Sequence, residues 1–199
     1  MQDIDEEFGR IILSRESLVN GTPCEQHELY LDRLSSKVRE YEPGFITFVH
    51  GDPNPENILV KINTHAVDVK FIDVKEWGDG DYLFDIAKLI HYVLVTGPVE
   101  RLQDPAQPQS RFLSERAVEL RYSFPRPAVL ETVAKMVEKR TEQLAAELGD
   151  VHWRQRYALA MAANLLGLPL GRIKRGRRES ALVLYAEGLK WLKEACAPM

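Results

Sequence analysis

Cysteine is nearly absent from this chain. Cys24 and Cys196 stand near opposite ends and form no C-x-x-C pair. That sets aside a disulfide framework and a thiolate zinc site, and it fits two free thiols in a reducing compartment. No apolar run approaches the ~20 residues of a membrane span. The N-terminus, Met-Gln-Asp-Ile-Asp-Glu-Glu, is acidic and lacks a signal-peptide pattern, which points to a cytoplasmic location. Internal repeats and low-complexity segments are missing. Charge of one sign is missing too: 26 basic against 30 acidic residues leave a net charge of −4, with no general pull toward nucleic acid or membrane. There is no H-E-x-x-H and no G-x-S-x-G, hence no zinc-protease helix and no serine nucleophile elbow.

What is present suffices for one folded unit. The 199 residues are 45% hydrophobic and 28% charged, an ordinary globular composition with enough length for a core. From about Asp5 to Val19, Phe8, Ile11, Ile12 and Leu18 form a helical stripe, with acidic residues at its positive end. Asn20-Gly21 ends that helix. Thr22-Pro23, with Glu25 three residues after Thr22, then reads as the capped start of a second helix running to about Tyr41. Pro43-Gly44 stops it.

The next stretch, Phe48 to Asp85, organises the chain. Phe45-Ile46-Thr47-Phe48-Val49 reads as a buried strand that runs into a loop with Gly51, Pro53, Asn54 and Pro55. Asn57-Ile58-Leu59-Val60 starts a second strand, and Val67, Val69 and Phe71 alternate in a third that ends at Asp73. A hairpin of these last two strands brings Asn57, at its entry, beside Asp73, at its exit, with the loop carrying Asp52 next to both. Magnesium takes oxygen ligands, usually one or two carboxylates together with substrate phosphates. Asn57 and Asp73 supply an amide oxygen and a carboxylate. Asp52 is left over to orient a substrate hydroxyl and accept its proton. Those are parts that phosphoryl transfer requires.

The order H-G-D-x-x-x-x-N-I-L-V, then a strand ending I-D, then G-D-x-x-x-D-I-A, resembles the aminoglycoside phosphotransferase and choline kinase-like family of small-molecule kinases. The resemblance implies a protein-kinase-like fold. It implies that Asp52 is the catalytic Asp, that Asn57 and Asp73 hold Mg²⁺ and with it ATP or another nucleoside triphosphate, and that His50 braces the loop. It matches Asp85 to a buried carboxylate that opens a helix and holds the catalytic loop. Asp81 is a candidate cap or loop-bracing carboxylate. Two departures stand out. Val74-Lys75 occupies the place where the family often has Trp-Glu, so either the missing Glu weakens a second metal site or Lys75 simply points to solvent. Pro55-Glu56 replaces a frequent Pro-Gly.

A glycine-rich phosphate-covering loop and a β-strand ending in lysine, both expected ahead of such a stretch, do not appear in the first 44 residues. The expected fold class is therefore α+β and mainly helical: a kinase-like C-terminal lobe, with a small β-hairpin carrying the catalytic loop and the N-terminal lobe absent. Its expected organisation is a single unit over 1–199, with leading helices in 1–44, the catalytic and metal-binding segment in 45–85 and a helical subdomain in 86–199. Within the latter, Leu83 to Val95 is an apolar helix and Gly97 to Arg111 an exposed loop. Ala117 to Phe124 reads as a strand, with a helical reading close behind. Ala128 to Leu148, Val151 to Leu168 and Glu179 to Ala195 are helices.

Other constellations carry less. Five basic residues between Arg172 and Arg178 read as a solvated interhelix loop, with a phosphate contact or nucleic-acid contact as alternatives. His50 and Asp52 could instead ligate a hydrolase metal with His65 or His91, although His91 on an apolar helix reads as a core histidine. Trp77 is a loop anchor or a border of the cleft. The expected function is ATP-dependent phosphotransfer to a small-molecule hydroxyl substrate, by a fragment or truncated form. The alternative is a non-catalytic kinase-like binding module or half of a two-chain kinase. Expected partners are that substrate and either an N-terminal lobe or a second copy on an exposed apolar face; membrane is excluded and nucleic acid disfavoured.

Overall fold

The computed structural model describes residues 2–64, 66–75, 78–101, 108–124 and 127–197. Its architecture is α+β with about 56% helix: helices accompany a small mixed sheet, and two further antiparallel strand pairs are separate from it. His65 and Trp77 lie outside the described residues.

The first 44 residues depart from the expected pair of helices. Helix α1 (Gln2–Ile12) stops early, where the Ser14 hydroxyl donates to the Arg10 carbonyl. Strands β1 (Glu16–Val19) and β2 (Thr22–Glu25) follow as a hairpin, with Val19 opposite Thr22. Its two-residue turn is Asn20-Gly21, at φ 47° and 82°. Asn-Gly suits this turn because both positions need positive φ, and its twist matches that of the strands. The Thr22-Pro23 cap is thus a strand start instead. Pro23 is tolerated because β2 is the sheet edge. Helix α2 (His27–Ser35) and a short 3₁₀ turn (Val38–Tyr41) complete the segment.

Strand β3 (Thr47–Val49) pairs with β6 (Gly78–Gly80), and β4 (Ile58–Ile62) pairs with β5 (Val67–Phe71). The β3 strand is not buried as expected: it pairs with β6 in a two-stranded sheet, and Phe48 is 56% exposed. After β6 one long helix begins as α3 (Tyr82–His91), widens into a π segment (Tyr92–Thr96) and continues as α4 (Gly97–Arg101). The wide turn closes when the Gly97 N–H donates to the Tyr92 carbonyl, five residues back. A Cβ at Gly97 would lie 2.8 Å from that oxygen, so glycine permits the contact. The region expected as an exposed loop therefore starts as helix, with Val99 buried, and ends in β7 (Gln109–Ser114). Tyr82–Glu100 is also long and apolar enough to cross a membrane by length and composition, contrary to the expectation, although half of its apolar window is buried in the protein.

Strand β8 (Ala117–Arg121) joins β7 antiparallel and β1 parallel, giving the order β2-β1-β8-β7. Helices α5 (Ala128–Glu147), α6 (Trp153–Leu166), α7 (Pro169–Lys174) and α8 (Arg178–Ala195) complete the body. Val19, Cys24, Val118 and Leu120 of the sheet pack on Ala181, Leu182, Tyr185 and Leu189 of α8. On its other side α8 lies against α6 through small residues. A Cβ at Gly188 would come within 2.7 Å of Leu166, so this helix pair is as close as glycine allows.

The same body holds the start of α3. Asp81 caps the helix by accepting from the Leu83 N–H at 3.0 Å. The buried Arg156 of α6 donates from Nε to Asp81 at 2.8 Å and from both terminal nitrogens to Asp150 at 2.8 Å. The Tyr82 hydroxyl donates to Asp150 at 3.0 Å. Burial, followed by that carboxylate, pushes the Tyr82 hydroxyl far above the usual phenol range. These bonds fix the first turn of α3, from which Asp85 projects.

Candidate functional site

The loop from His50 to Asn57 is held from three directions. Asp85 reaches back from the first turn of α3. Its Oδ2 accepts the His50 N–H at 2.7 Å and its Oδ1 accepts the Gly51 N–H at 2.9 Å. Gly51 has φ 83°, a left-handed conformation in which glycine is unstrained. The His50 ring spans the loop. Its Nδ1 accepts the Asp52 N–H at 3.3 Å, which leaves Nε2–H to donate to the Ile72 carbonyl at 3.1 Å. The loop is thereby tied to the exit of the β4–β5 hairpin.

The loop also closes on itself. The Asp52 carbonyl accepts the Asn54 N–H at 2.8 Å and the Asn57 side-chain NH₂ at 2.9 Å. Asn54 Oδ1 accepts the Glu56 N–H at 2.9 Å, capping a 3₁₀ turn over Pro55–Asn57. Glu56 thus sits in a right-handed turn, and the freedom of the glycine frequent there is not required.

Asn57 and Asp73 meet at one end of the hairpin. The Ile72 N–H donates to the Asn57 carbonyl at 2.9 Å, and Ile58 faces Phe71 in the register. Because the Asn57 NH₂ is engaged, its amide oxygen is the atom left to bind a ligand. Asp73 has φ 56°, which Asp adopts more readily than most residues and which bends the chain out of β5. One amide oxygen and one carboxylate suit a hard cation that completes its shell with phosphate and water. Among the described residues no three His, Cys, Asp or Glu side chains converge as a metal cage. Both ring nitrogens of His50 are engaged, and His91 is buried and bonded through Nδ1 to Thr96 Oγ1 at 3.0 Å, so neither is free for the hydrolase arrangement; His65, its other candidate, lies outside the described residues.

Asp52 itself is 6% exposed. Lys75 Nζ lies 2.6 Å from its Oδ2 and Lys88 Nζ lies 3.5 Å from its Oδ1. Burial pushes the carboxyl up, but the Lys75 bond, a bond from Asn54 and the Lys88 charge outweigh it and hold Asp52 below the usual carboxylate range. The Lys75 ammonium is correspondingly raised, first through its bond to Asp52. Lys75 therefore turns inward onto Asp52, not simply to solvent. Sequence reasoning also passed over Lys88, Arg156 and Asp150. Lys88 had a readable signal: it stands three residues after Asp85, on the same face of the helix.

Beside the loop is a cavity of about 460 Å³, lined by Phe48, Val49, His50, Pro53, Phe71, Val74, Asp85, Ile86 and Leu89. A second cavity, about 790 Å³, lies between β1–β2 and the end of α8. Both cysteines, which are free thiols, line it, and it shares no residue with the loop. The basic stretch after α6 is not a free loop. Arg172 pairs with Glu100, as does Arg177 at 3.8 Å, and Arg178 pairs with Glu7 at 2.6 Å. No protein-family model, curated protein or solved structure matches the chain.

Proposed function

We propose that this protein is a small-molecule phosphotransferase resembling the aminoglycoside phosphotransferase and choline kinase-like enzymes, and that it moves the γ-phosphate of ATP or a similar nucleotide to a substrate hydroxyl. The observation that carries this reading is the pair of hydrogen bonds that the Asp85 carboxylate accepts from the His50 and Gly51 amides. A carboxylate spent on two backbone N–H groups serves to hold a loop in shape, and that loop presents Asp52. In this reading Asp52, ionised and buried, accepts the hydrogen bond of the substrate hydroxyl and orients its oxygen. The Asn57 amide oxygen and the Asp73 carboxylate hold Mg²⁺, which would neutralise phosphate charge. The remaining rate enhancement comes from positioning. Calorimetric titration of the 199-residue chain with ATP, with and without Mg²⁺, tests the reading. Mg²⁺-dependent binding that weakens in Asp73→Ala is expected. Asp52→Asn is expected to bind the Mg²⁺-nucleotide nearly as the parent does and to lose turnover. Undiminished turnover in Asp52→Asn, or unchanged binding in Asp73→Ala, would overturn the assignments.

A second reading, a non-catalytic kinase-like module or one half of a two-chain kinase, draws support from the β4–β5 ribbon. Ile58, Val60, Ile62, Val67, Val69 and Phe71 share one face through the register, and all but Ile58 are more than half exposed. A two-stranded ribbon with an uncovered apolar face is marginal by itself and suits a partner. Concentration-dependent association that disappears with a charge at Val69 would favour this reading.

A further inference from the structure

Two ammonium groups converge on the single carboxylate of Asp52. Lys75 reaches it from the loop after β5 and Lys88 from α3, at 2.6 and 3.5 Å. The Asp73 carboxylate also acts on Lys75; with Asp73 committed to Mg²⁺ in the phosphotransferase reading, one positive charge is left over at the place where a hydroxyl would be oriented. Neither lysine is consumed by the loop's architecture, which rests on Asp85, His50 and Asn57. Lys75 is 62% exposed along its side chain and can leave Asp52 at little cost in packing, while Lys88 is 24% exposed and more fixed. One turn further along the same helix, His91 is 2% exposed and its Nε2 has no hydrogen-bond partner among the described residues. The two lysines thus put positive charge beside Asp52.

We propose that Lys75 and Lys88 form an anion subsite, so that the hydroxyl compound accepted here carries a phosphate ester or carboxylate. This rests on the phosphotransferase reading and names its acceptor class. The chemistry selects such a compound in two ways. Its negative group replaces Asp52 as the partner of the Lys75 ammonium, and Lys75 can follow it outward. Asp52 Oδ2 is then released to receive the hydrogen bond of the acceptor hydroxyl. A polycation would meet two ammonium groups and leave Lys75 in place on Asp52. Lysine suits this role as a mobile point charge that binds phosphate without a fixed fork geometry.

The test is titration of the 199-residue chain with glycerol 3-phosphate, glycerate, glycerol and kanamycin, alone and with saturating Mg²⁺ and a non-hydrolysable ATP analogue. Glycerol 3-phosphate or glycerate is expected to bind at least tenfold tighter than glycerol or kanamycin. Lys75→Met and Lys88→Met are each expected to weaken that binding tenfold or more, and the nucleotide is expected to leave it in place. Equal binding by the variants, tighter binding of kanamycin, or failure of both anions to bind would overturn the subsite. Competitive displacement by the nucleotide would also overturn it, since the lysines would then serve the nucleotide's own phosphates. The two readings separate in the nucleotide arm. Nucleotide binding without anion binding removes the subsite and leaves the phosphotransferase reading. Lysine-dependent anion binding without any nucleotide binding keeps an anion site and removes that reading.

Discussion

The body formed by α6, α8 and α3 differs from the ribbon formed by β4 and β5 in what water can reach. In α8 every residue from Ser180 to Leu189 is buried, and its polar partners are held in place, as when the Tyr122 hydroxyl donates to Glu187 at 2.6 Å. In the ribbon nine of the ten residues are exposed, apolar ones included. The site lies where the two meet: Asp85 and Lys88 come from the body, Asn57 and Asp73 from the ends of the ribbon. Burial is concentrated on one side and the candidate ligand oxygens on the other. A loop pinned to a rigid helix can then present a carboxylate while the hairpin beside it stays free to adjust.

The largest effect that would break this contrast comes from the body. Arg156→Leu leaves the Asp150 carboxylate buried without its guanidinium, while Asp81 loses the same partner. Removing one member of a buried ionic group typically costs about 3–5 kcal/mol. Urea unfolding should show a loss of that size. A loss below about 1 kcal/mol, the range of exposed pairs, would mean that the body is not anchored through this residue.

Asp85→Asn acts at the junction. One of the two backbone donors, His50 N–H or Gly51 N–H, then faces an amide NH₂ in place of an oxygen. The expected cost is about 1–3 kcal/mol, and its distribution matters more than its size. Hydrogen exchange should quicken at His50 and Gly51 while the amides of α8 keep their protection. Equal loss of protection in both would show that loop and body open together.

The body was the more legible side in the sequence. Apolar spacing gave α5, α6 and α8 to within a few residues, because a helix buried on one face must repeat its apolar positions. The β4–β5 hairpin was legible by alternation, and the closeness of Asn57 and Asp73 followed from it. The N-terminal hairpin was misread because Asn-Gly and Thr-Pro signal helix boundaries as well as turns. What decides between them is a long-range parallel pairing of Glu16–Val19 with Ala117–Leu120, which no local pattern contains. Lys75 could not be placed for a similar reason: its partner lies 23 residues away and depends on a positive φ at Asp73. The Arg156 network has the same character, since an arginine inside an alanine-rich helix reads as surface until its two carboxylates are brought to it.

A smaller effect comes from His91. Burial, reinforced by Lys88 and Arg172 and only partly opposed by Asp52, pushes its imidazole down to about 3. In the folded protein it is neutral from pH 7 to 5, whereas in the unfolded chain it takes a proton near pH 6.5. The unfolded state therefore binds more protons as pH falls through 6.5. Stability contributed by neutral His91 is present above that value and declines toward pH 3, by up to about 1.4 kcal/mol per pH unit. The window from pH 7 to 5 lies above the carboxylate titrations, so the effect is separable. Unfolding free energy should fall more steeply there for the parent than for His91→Gln, and equal slopes would remove the histidine as the cause.

The smallest expected effect is the sharpest test of the contrast. Val60 and Val69 face each other across the ribbon, each about half exposed, while Val118 in the mixed sheet has no exposure at all. Valine to threonine keeps shape and β-propensity and exchanges a methyl for a hydroxyl. Where water reaches the hydroxyl, the change should stay within about 0.5 kcal/mol. Where it does not, an unpaired hydroxyl costs about 1–3 kcal/mol. Val60→Thr and Val69→Thr should therefore leave the urea midpoint nearly unmoved and Val118→Thr should lower it. The midpoints should be read at two protein concentrations, because association over the ribbon would make the outer pair costly only in the concentrated sample. A concentration-independent loss at Val60 as large as that at Val118 would mean that the chain covers its own ribbon, and the division between a buried body and an open ribbon would fall.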